Sequence, residues 1–538
     1  MNFHSSIKAG VAITALMLAS TAAFAVDLTV GVSSEPSSVD PHYHNLGPNN
    51  SAARNIYDRL IHMDAQMQLQ PGLALSWKAT DDTTWDIKLR KGVTFHDGTS
   101  FTAADVVFTY KRFPNVPNSP SAFTKFGKTF ESIEAVDDYT LRIKTKGRQP
   151  LTPNNLAQVS IISKETVEDY YAANPTIAKD VFSIDSSHFN SGKLAIGTGP
   201  YSLVSWKPGE TMKLSGNASY WGGAPAYSDV EVRPLKNDAA RLAALQSGDV
   251  DIIDAVPTAD LKNVKADAKF VLFQQPSNLA IYLHMDSDRE YTPGITAKGG
   301  SPIKNPLRDV RVRKAISMAI NRAGIVDRIM DGAAAPASQM LPQGFSGVSD
   351  KLKPMAYDPK GAIKLMAEAG YPNGFKMTIQ APNDRYVNDE QIAQTIAQLL
   401  TRIGIEMSVK TEPKSTYFKN ASALKYSFML LGWGSSTGEQ GSTIMSLLHS
   451  YNKDAGQGTS NRGRFSDAKM DALLEDAMGD VNEASRSKKI AKAAERAIGE
   501  LYGVIPVHYQ MNFWAAKKGV AYTPRADNYT VISEITKN

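Results

Sequence analysis

The sequence predicts an α/β protein built from more than one lobe. The chain has 538 residues, and a single hydrophobic core stops growing at about 250–300 residues, so two or three lobes are expected. Helical and strand patterns alternate through the second half of the chain, which favours an α/β lobe there. In the first third, short strand patterns separated by tight turns predict a smaller mixed lobe.

The first third contains strands, turns and one capped helix. VDLTVGV alternates apolar residues as a strand does, and SSEPSSVDP follows it as a turn. Within residues 70–112, strand patterns lead into a helix with Thr102 at its N-cap and Asp105 three residues later, which is the capping-box spacing. Residues 131–147 predict a hairpin around Asp137 and Asp138.

From residue 239 onward, helices and strands alternate. Helix Arg308–Ile320 places Val312, Ala315, Ile316 and Ala319 on one stripe, which predicts a core face. The other predicted elements are helices 239–248, Pro359–Ala369, Asn388–Ile403, Asp467–Met478 and Glu483–Leu501, and strands Val250–Ile253, Lys376–Ala381, Glu406–Thr411, Tyr426–Trp433 and Val504–Tyr509.

The first 25 residues resemble a secretory signal. Lys8 precedes an apolar run from Ala9 to Ala19, and Ala23-Phe24-Ala25 fits the small-residue pattern before a cleavage point, so the mature chain is expected to begin at Val26. The chain has no cysteine, which excludes a lipid anchor through an N-terminal thioether. We therefore expect a Gram-negative periplasmic protein without a membrane anchor, with full secretion as the alternative.

Composition indicates an ordinary soluble protein without a nucleic-acid partner. Hydrophobic residues make up 42% of the chain and charged residues 21%. The 59 basic residues are offset by 54 acidic ones to a formal net charge of +5, and no basic block of the nucleic-acid-binding type is present.

Three long blocks carry a resemblance to a known family. They are LRKGVTFHDGTSFTAADVVFTYKR, GTGPYSLVSWKPGETMKLSGNASYWGG and VRVRKAISMAINRAGIVDRIMDGAAAPASQMLP. Each resembles a recurrent segment of the family 5 extracellular solute-binding proteins, which include the periplasmic dipeptide-, oligopeptide- and nickel-binding components of ABC importers. The likeness extends from about Val26 to the C-terminus.

The resemblance implies a type II periplasmic-binding-protein fold, with two hinged α/β lobes and a small inserted mixed lobe. Lobe I would comprise residues 26–64, 188–283 and 506–538, lobe II residues 65–187 and lobe III residues 284–505. The implied function is capture of a short peptide or peptide-like polar solute in a hinged cleft, and its delivery to the transmembrane permease of an ABC importer. A monomer without cofactor, metal or enzymatic activity is expected.

In the family, the turn that ends the strand starting at Tyr426 faces the ligand cleft and lines it with backbone groups. Here that turn is Gly432-Trp433-Gly434, with Ser435 directly after it, and Trp433 either stacks on a ligand or packs as core. Peptide-binding relatives usually place an aspartate after the turn to pair with the ligand ammonium. Ser436 stands there in this chain, so the anchor is missing unless Glu439 reaches into the cleft.

A second candidate loop is NDRYVN, at residues 383–388. Family members that bind dipeptides carry an arginine there that grips the ligand carboxylate, a task suited to the planar guanidinium of Arg385. The alternatives are a solvated arginine or one paired with Asp384 or Asp389. Tyr386 and Asn388 are further candidates from the same loop.

Four other residues are weighed as cleft lining or packing. Tyr509 and Tyr282 end strands near the presumed lobe junction, and packing is the expectation for Tyr282. The loop at residues 43–50 follows the first strand, and His42 and His44 are expected at the surface.

Other functions have weaker patterns. Gly434 to Gly438 satisfies the G-x-S-x-G pattern of a hydrolase nucleophile elbow, but an elbow needs a helix directly after Ser436 and none is predicted before Ser442. No H-x-x-x-H pair or HExxH helix supports a metal site. Sugars, opines, modified amino acids and chelated metals remain alternative ligands, and a chaperone or adhesin would need a broad apolar surface.

Overall fold

The computed structural model describes residues 27–538, so the predicted signal peptide lies outside the described residues. The strands of the described chain are β1 Leu28–Val32, β2 Ile61–Met63, β3 Leu69–Pro71, β4 Ala74–Ala79, β5 Thr84–Leu89, β6 Phe130–Asp137, β7 Thr140–Thr145, β8 Tyr201–Lys207, β9 Thr211–Gly216, β10 Asp229–Pro234, β11 Ile252–Asp254, β12 Phe270–Met285, β13 Ile295–Thr296, β14 Ala334–Pro336, β15 Lys376–Pro382, β16 Glu406–Glu412, β17 Phe428–Gly434, β18 Val504–Lys517, β19 Val520–Tyr522 and β20 Ile535–Lys537.

The α-helices of the same residues cover the faces of these strands. They are α1 Gly47–Ile56, α2 Ala103–Arg112, α3 Thr152–Leu156, α4 Lys164–Ala173, α5 Ser186–Asn190, α6 Asp238–Ser247, α7 Leu261–Ala266, α8 Val310–Ala319, α9 Arg322–Arg328, α10 Pro359–Glu368, α11 Asp389–Thr401, α12 Lys414–Ser422, α13 Gln440–Leu447, α14 Ala468–Met478 and α15 Glu483–Ala494.

One large sheet runs through the molecule in the order β13-β15-β17-β12-β18-β11-β1-β10-β9-β8, with β14 paired to β18 and β16 to β15. The long strands β12 and β18 are antiparallel, from Phe270 opposite Lys517 to His284 opposite Val504. On one side of this pair lies the first half-sheet, β11, β1, β10, β9 and β8. On the other lies the second half-sheet, β17, β15, β13 and β16.

The register between β12 and β18 is interrupted between Pro276 and Ala280, and again after Ile281. Irregularities of this kind bend a strand pair locally. The junction between the half-sheets therefore lies in the middle of β12.

Separate hydrophobic cores accompany the two half-sheets and the inserted region. Val30, Val230 and Trp514 belong to a core on the first half-sheet, whereas Ile316 and Ile396 belong to one on the second. The four-stranded sheet β4-β5-β7-β6 has its own core. The lobe boundaries given above stay a prediction, and the cores follow the same order along the chain.

Most predicted elements are present with ends shifted by a few residues. Thr102 caps α2, and its capping box with Asp105 is formed. The stripe predicted for Arg308–Ile320 lies on α8, and all four of its residues are fully buried. The hairpin around Asp137 is the β6–β7 pair.

Two predicted boundaries are wrong. The strand from Val504 was expected to end at Tyr509, but β18 continues to Lys517, because residues beyond the half-buried Gln510 pair with both β12 and β11. The helix from Glu483 was expected to reach Leu501, but regular α15 ends at Ala494 and a wider π-helical segment follows over Glu495–Glu500.

A buried charge cluster joins the loop after β1 to α2. Both terminal nitrogens of Arg112 bond the carboxylate of Asp40, at 2.9 and 2.6 Å. His42 lies beside them, with Nδ1 2.9 Å from Arg112 and Nε2 2.8 Å from the carbonyl of Ser160. The expectation that His42 lies at the surface is wrong: it is fully buried, because both ring nitrogens find partners inside.

The electrostatics of this cluster depend on Arg112. Burial alone would raise the pKa of Asp40, but the charge and hydrogen bonds of Arg112 outweigh burial and lower that pKa. Burial and the nearby Arg112 lower the pKa of His42 to about 4, so its imidazole is neutral at pH 7. Because His42 is neutral, the charge–charge attraction between this loop and α2 in the cluster is that between Asp40 and Arg112.

Replacing Arg112 by methionine is expected to destabilise the fold strongly. The variant leaves the Asp40 carboxylate buried without its cation, and breaking a buried pair in this way costs about 3–5 kcal/mol. The measurement is urea unfolding followed by tryptophan fluorescence.

Arg142→Met is the matched control, because Arg142 makes the same kind of contact with Asp86 at 2.8 Å but is 46% exposed. Such an exposed pair is screened by water, so a much smaller loss of stability is expected. Equal small losses in both variants would contradict a stabilising role for the buried pair.

Candidate functional site

The parallel strands of the two half-sheets end facing each other. Strand β11 runs antiparallel to β18 and ends with Asp254 opposite Trp514, and β1 and β10 run parallel to β11. Strand β17 runs antiparallel to β12 and ends with Gly434 opposite Leu279, and β15 runs parallel to β17. Both sets of carboxyl ends therefore point toward the middle of β12 and β18, from opposite sides.

Ligands of open α/β sheets bind outside the carboxyl ends of the strands. We call the space between these two edges the interlobe cleft. It is bounded by the loops after β1, β10 and β11 on one side and by the loops after β15 and β17 on the other.

The loop after β17 is hydrogen-bonded to the middle of β12. The side-chain amide of Asn278 donates to the carbonyl of Ser435 at 2.7 Å, and the backbone N–H of Asn278 donates to the carbonyl of Ala526. Ser435 is buried and its hydroxyl bonds the carbonyl of Glu439. Trp433 is half-buried, while Gly434 and Ser436 are exposed. Trp433 and Gly434 are the last residues of β17, and Trp433 packs in part against a hydrophobic core. Gly434 and Ser436 are therefore the exposed residues here, and Ser435 lies inside.

The predicted loop after β15 lies against the end of strand β17. The Tyr386 hydroxyl donates to the carbonyl of Gly432 at 3.2 Å. A Cβ on Gly432 would lie 2.6 Å from the Tyr386 ring, so only glycine allows this approach. Burial raises the pKa of Tyr386, which keeps the phenol protonated as a donor. Two of the candidate segments are thus brought together.

Arg385 is exposed at the end of this loop. Its guanidinium lies over the Tyr386 ring, 5.1 Å from the centroid, and makes no ion pair within residues 27–538. The predicted alternative partners are otherwise engaged, since Asp389 accepts the backbone N–H groups of Arg385 and Tyr386, and Asp384 accepts that of Lys414. Arg385 therefore remains available to an anionic group.

Glu439 does not offer a free carboxylate to the cleft. It is 1% exposed and accepts a 2.9 Å hydrogen bond from Nε of Arg486, on α15. Burial raises its pKa despite that cation. The preceding Gly438 has a positive φ of 68°, and a Cβ there would meet the carbonyl of Met67 at 2.7 Å. In this conformation Gly438 and Glu439 are part of the packed interior.

Three other candidates are likewise engaged in packing. The Tyr509 hydroxyl lies 3.0 and 2.9 Å from the carbonyls of Gln339 and Leu341, and its ring is buried. The side-chain amide of Asn388 donates to the carbonyl of Ile329 at 2.6 Å. Tyr282 is fully buried, in agreement with the packing expectation.

The first edge of the cleft holds a cavity that the sequence did not reveal. Its volume is about 390 Å³, and it lies beneath α1 at the carboxyl ends of β1, β10 and β11. Asp254, Trp206 and Tyr529 are among its lining residues. A polar residue directly after the predicted strand Val250–Ile253 was a usable signal for Asp254. Nothing in the local pattern connects residue 206 with residue 529.

The structure offers little for the other functions considered. Helix α13 begins at Gln440, four residues after Ser436, and no histidine hydrogen-bonds Ser436 within the described chain. Residues 27–538 hold no group of three or more histidine, aspartate or glutamate side chains that could bind a metal ion. No helix in that part of the chain is long and apolar enough to cross a membrane.

Comparison with known families decides which class of protein this is. A profile described as bacterial extracellular solute-binding proteins, family 5 Middle, matches residues 68–455. The chain belongs to this family. The predicted resemblance is thereby confirmed.

Family members with known ligands are similar along nearly the whole chain. Heme-binding protein A of Haemophilus influenzae is 29% identical over 490 residues, covering 86% of this chain and 83% of the relative. Glutathione-binding protein GsiB of Escherichia coli K12 is 28% identical over 515 residues, covering 94% and 93%.

Solved structures confirm the type II periplasmic-binding-protein fold. HbpA2 from Haemophilus parasuis has a TM-score of 0.83 at 23% identity, covering 95% of this chain and 99% of that chain. The unliganded open form of the murein tripeptide-binding protein MppA has a TM-score of 0.80 at 21% identity, covering 95% and 97%. Helicobacter pylori DppA with the peptide STSA has a TM-score of 0.66 at 25% identity, covering 95% and 98%.

Replacing Arg486 by methionine is expected to lower stability, because the buried Glu439 carboxylate then lacks its partner. The expected loss is about 3 kcal/mol in the free energy of unfolding, measured by urea unfolding.

The double variant with Glu439→Gln is the control. It removes both charges and is expected to recover part of the loss. An unchanged stability of Arg486→Met would contradict the structural assignment of Glu439 and return it to the candidate ligand groups.

Proposed function

We propose that this protein captures a short peptide or peptide-like polar solute in the interlobe cleft and delivers it to the membrane permease of an ABC importer. Family membership supports the solute-binding role. The observation that carries the proposal for this chain is the opposition of two carboxyl edges across the β12–β18 pair. Bringing those edges together would replace the water around a polar solute with fixed hydrogen bonds.

The conformation described here corresponds to the open state in this proposal. The unliganded open MppA is the better match by TM-score, although the peptide complex of DppA has the higher sequence identity. The interrupted register between Pro276 and Ala280 provides a place for the bend. Closure would then rotate the two half-sheets about the middle of β12.

The candidates on the second edge have different roles in this proposal. Trp433 offers an aromatic face for stacking, and the exposed Gly434 and Ser436 offer backbone groups. Arg385 offers paired donors to a carboxylate. Tyr386 holds the two loops together through Gly432 and does not itself face the solute.

The location and partners follow from the same proposal. Residues 1–25 would direct export and be removed, leaving a periplasmic monomer that docks on permease subunits in its closed form. We also propose that the protein catalyses no reaction. One glycine of the G-x-S-x-G pattern has a structural cause, because Gly438 packs against the Met67 carbonyl.

Solute binding is expected to compact the protein. Protein purified from periplasm is analysed by native mass spectrometry, and the released small molecule is identified and added back to the unfolded and refolded apoprotein. Small-angle X-ray scattering is expected to show a smaller radius of gyration with solute than without it. An unchanged radius at saturating solute would contradict the hinged-cleft proposal.

Arg385→Ala is expected to weaken binding of an anionic solute by about tenfold to one-hundredfold, because a charge-assisted hydrogen bond contributes about 1.5–3 kcal/mol. Isothermal titration calorimetry with the recovered solute measures the effect.

Arg402→Ala removes the same charge from the exposed end of α11 and is expected to leave affinity unchanged. An equal loss in both variants would indicate a general charge effect, and no loss in either would remove Arg385 from the site.

A further inference from the structure

The cavity on the first edge has an apolar body and polar groups at its rim. The sheet contributes Val32, Met212 and Val232, Trp206 closes one side, and Ile532 comes from the C-terminal segment. At about 390 Å³ it is within the range of small-molecule sites, and it can hold a branched or aromatic side chain. An apolar ligand group in this cavity would leave water and gain contacts with apolar side chains.

One carboxylate in this cavity lacks a close cation. Asp254 ends β11, is 17% exposed, and accepts the backbone N–H of Ser33 at 2.6 Å. Within 4 Å its sole cationic neighbour in the described chain is Nε of Arg241, at 3.9 Å. That guanidinium is already bonded to Asp238 and to the carbonyls of Leu235 and Ala255.

The other two carboxylates of the cavity accept hydrogen bonds from cationic side chains. Glu35 accepts hydrogen bonds from Lys236 and from the backbone of Gly209. Both carboxylate oxygens of Asp527 bond Arg525. The carboxylate of Asp254 differs from these two, because its hydrogen-bond donor is the backbone N–H of Ser33 and its cationic neighbour Arg241 lies at 3.9 Å.

Burying the Asp254 carboxylate in this way costs free energy in the unliganded protein. Burial outweighs the Ser33 bonds and the distant Arg241, and raises the pKa of Asp254 to about 6. At pH 7 the carboxylate is still mostly ionised. A cation entering the cavity would compensate it and gain more than it would at an exposed carboxylate.

We propose that the cavity binds an apolar group carrying a protonated amine, with the Asp254 carboxylate accepting the hydrogen bonds of the ammonium. This rests on the proposed function, which it deepens: the solute carries its ammonium toward the first edge. Asp254, on the first half-sheet, would then provide the negative charge that pairs with the ligand ammonium. Ser436, on the second half-sheet, stands where peptide-binding relatives usually have the aspartate for this task and carries no charge.

The test uses two probes that differ only in the amine. At pH 7.5, 2-phenylethylamine and the neutral 2-phenylethanol are titrated into the purified full-length mature protein by ligand-observed NMR. The wild type is expected to bind the amine about tenfold more tightly than the alcohol. Asp254→Asn retains the Ser33 acceptor and is expected to lose that preference.

Two further variants make the result specific. Asp238→Asn removes the same charge from an exposed partner of Arg241 outside the cavity, and it should keep the preference. Ala52→Trp fills the cavity from α1 and should abolish binding of both probes. Thermal unfolding and circular dichroism verify that each variant is folded.

Three outcomes would overturn the proposal: no binding of the amine to the wild type, equal affinity for amine and alcohol, or a preference that survives Asp254→Asn. The compaction experiment separates this failure from failure of the transport function. Solute-dependent compaction without amine preference would leave the function intact. Amine preference without compaction would leave the cavity assignment intact.

Discussion

The backbone pairing of β12 with β18 is the constraint on which the rest of the structure depends. It extends from Phe270 opposite Lys517 to His284 opposite Val504 and so passes through both half-sheets. The other strands are added outward from this pair, and their directions follow from it. The carboxyl ends of both sets of parallel strands meet at its middle for that reason alone. The position of the cleft is thus a property of strand order before any side chain is considered.

Side-chain charges near the cleft fall into two groups. Asp40 with Arg112 and Glu439 with Arg486 are buried pairs that each join a loop to a helix, and Asp527 with Arg525 is a buried pair within the C-terminal segment. In the described chain Arg385 on the second edge makes no ion pair, and Asp254 on the first edge accepts no hydrogen bond from a cationic side chain, with Arg241 3.9 Å away. In the proposed function, a solute with a carboxylate and an ammonium would complete both edges at once.

The sequence predicted the local elements well, because their signals are local. The periodicity of α8, the capping box of α2 and the turn before β7 each depend on neighbouring residues. The family resemblance also nominated Arg385 and Trp433, and the structure holds the loop of Arg385 against β17, the strand that carries Trp433. A strand was predicted around Tyr282, but its continuation back to Phe270 as one long β12 was not, since Pro276, Ser277 and Asn278 interrupt the apolar pattern. The Arg486 partner of Glu439 and the cavity beneath α1 depend on contacts between residues distant in sequence, and no local pattern encodes them.

The continuity of the large sheet restricts how the molecule can move. A hinge made of a flexible linker lets two bodies translate and rotate freely, whereas two hydrogen-bonded strands resist sliding past each other and resist stretching. Bending and twisting at the interrupted register remain. In the proposed function, opening of the molecule is therefore close to a single angular coordinate, and a solute of a given length would select one value of that angle. A membrane permease that touches both halves would then sense the size of the solute from the angle between them, without contacting the solute.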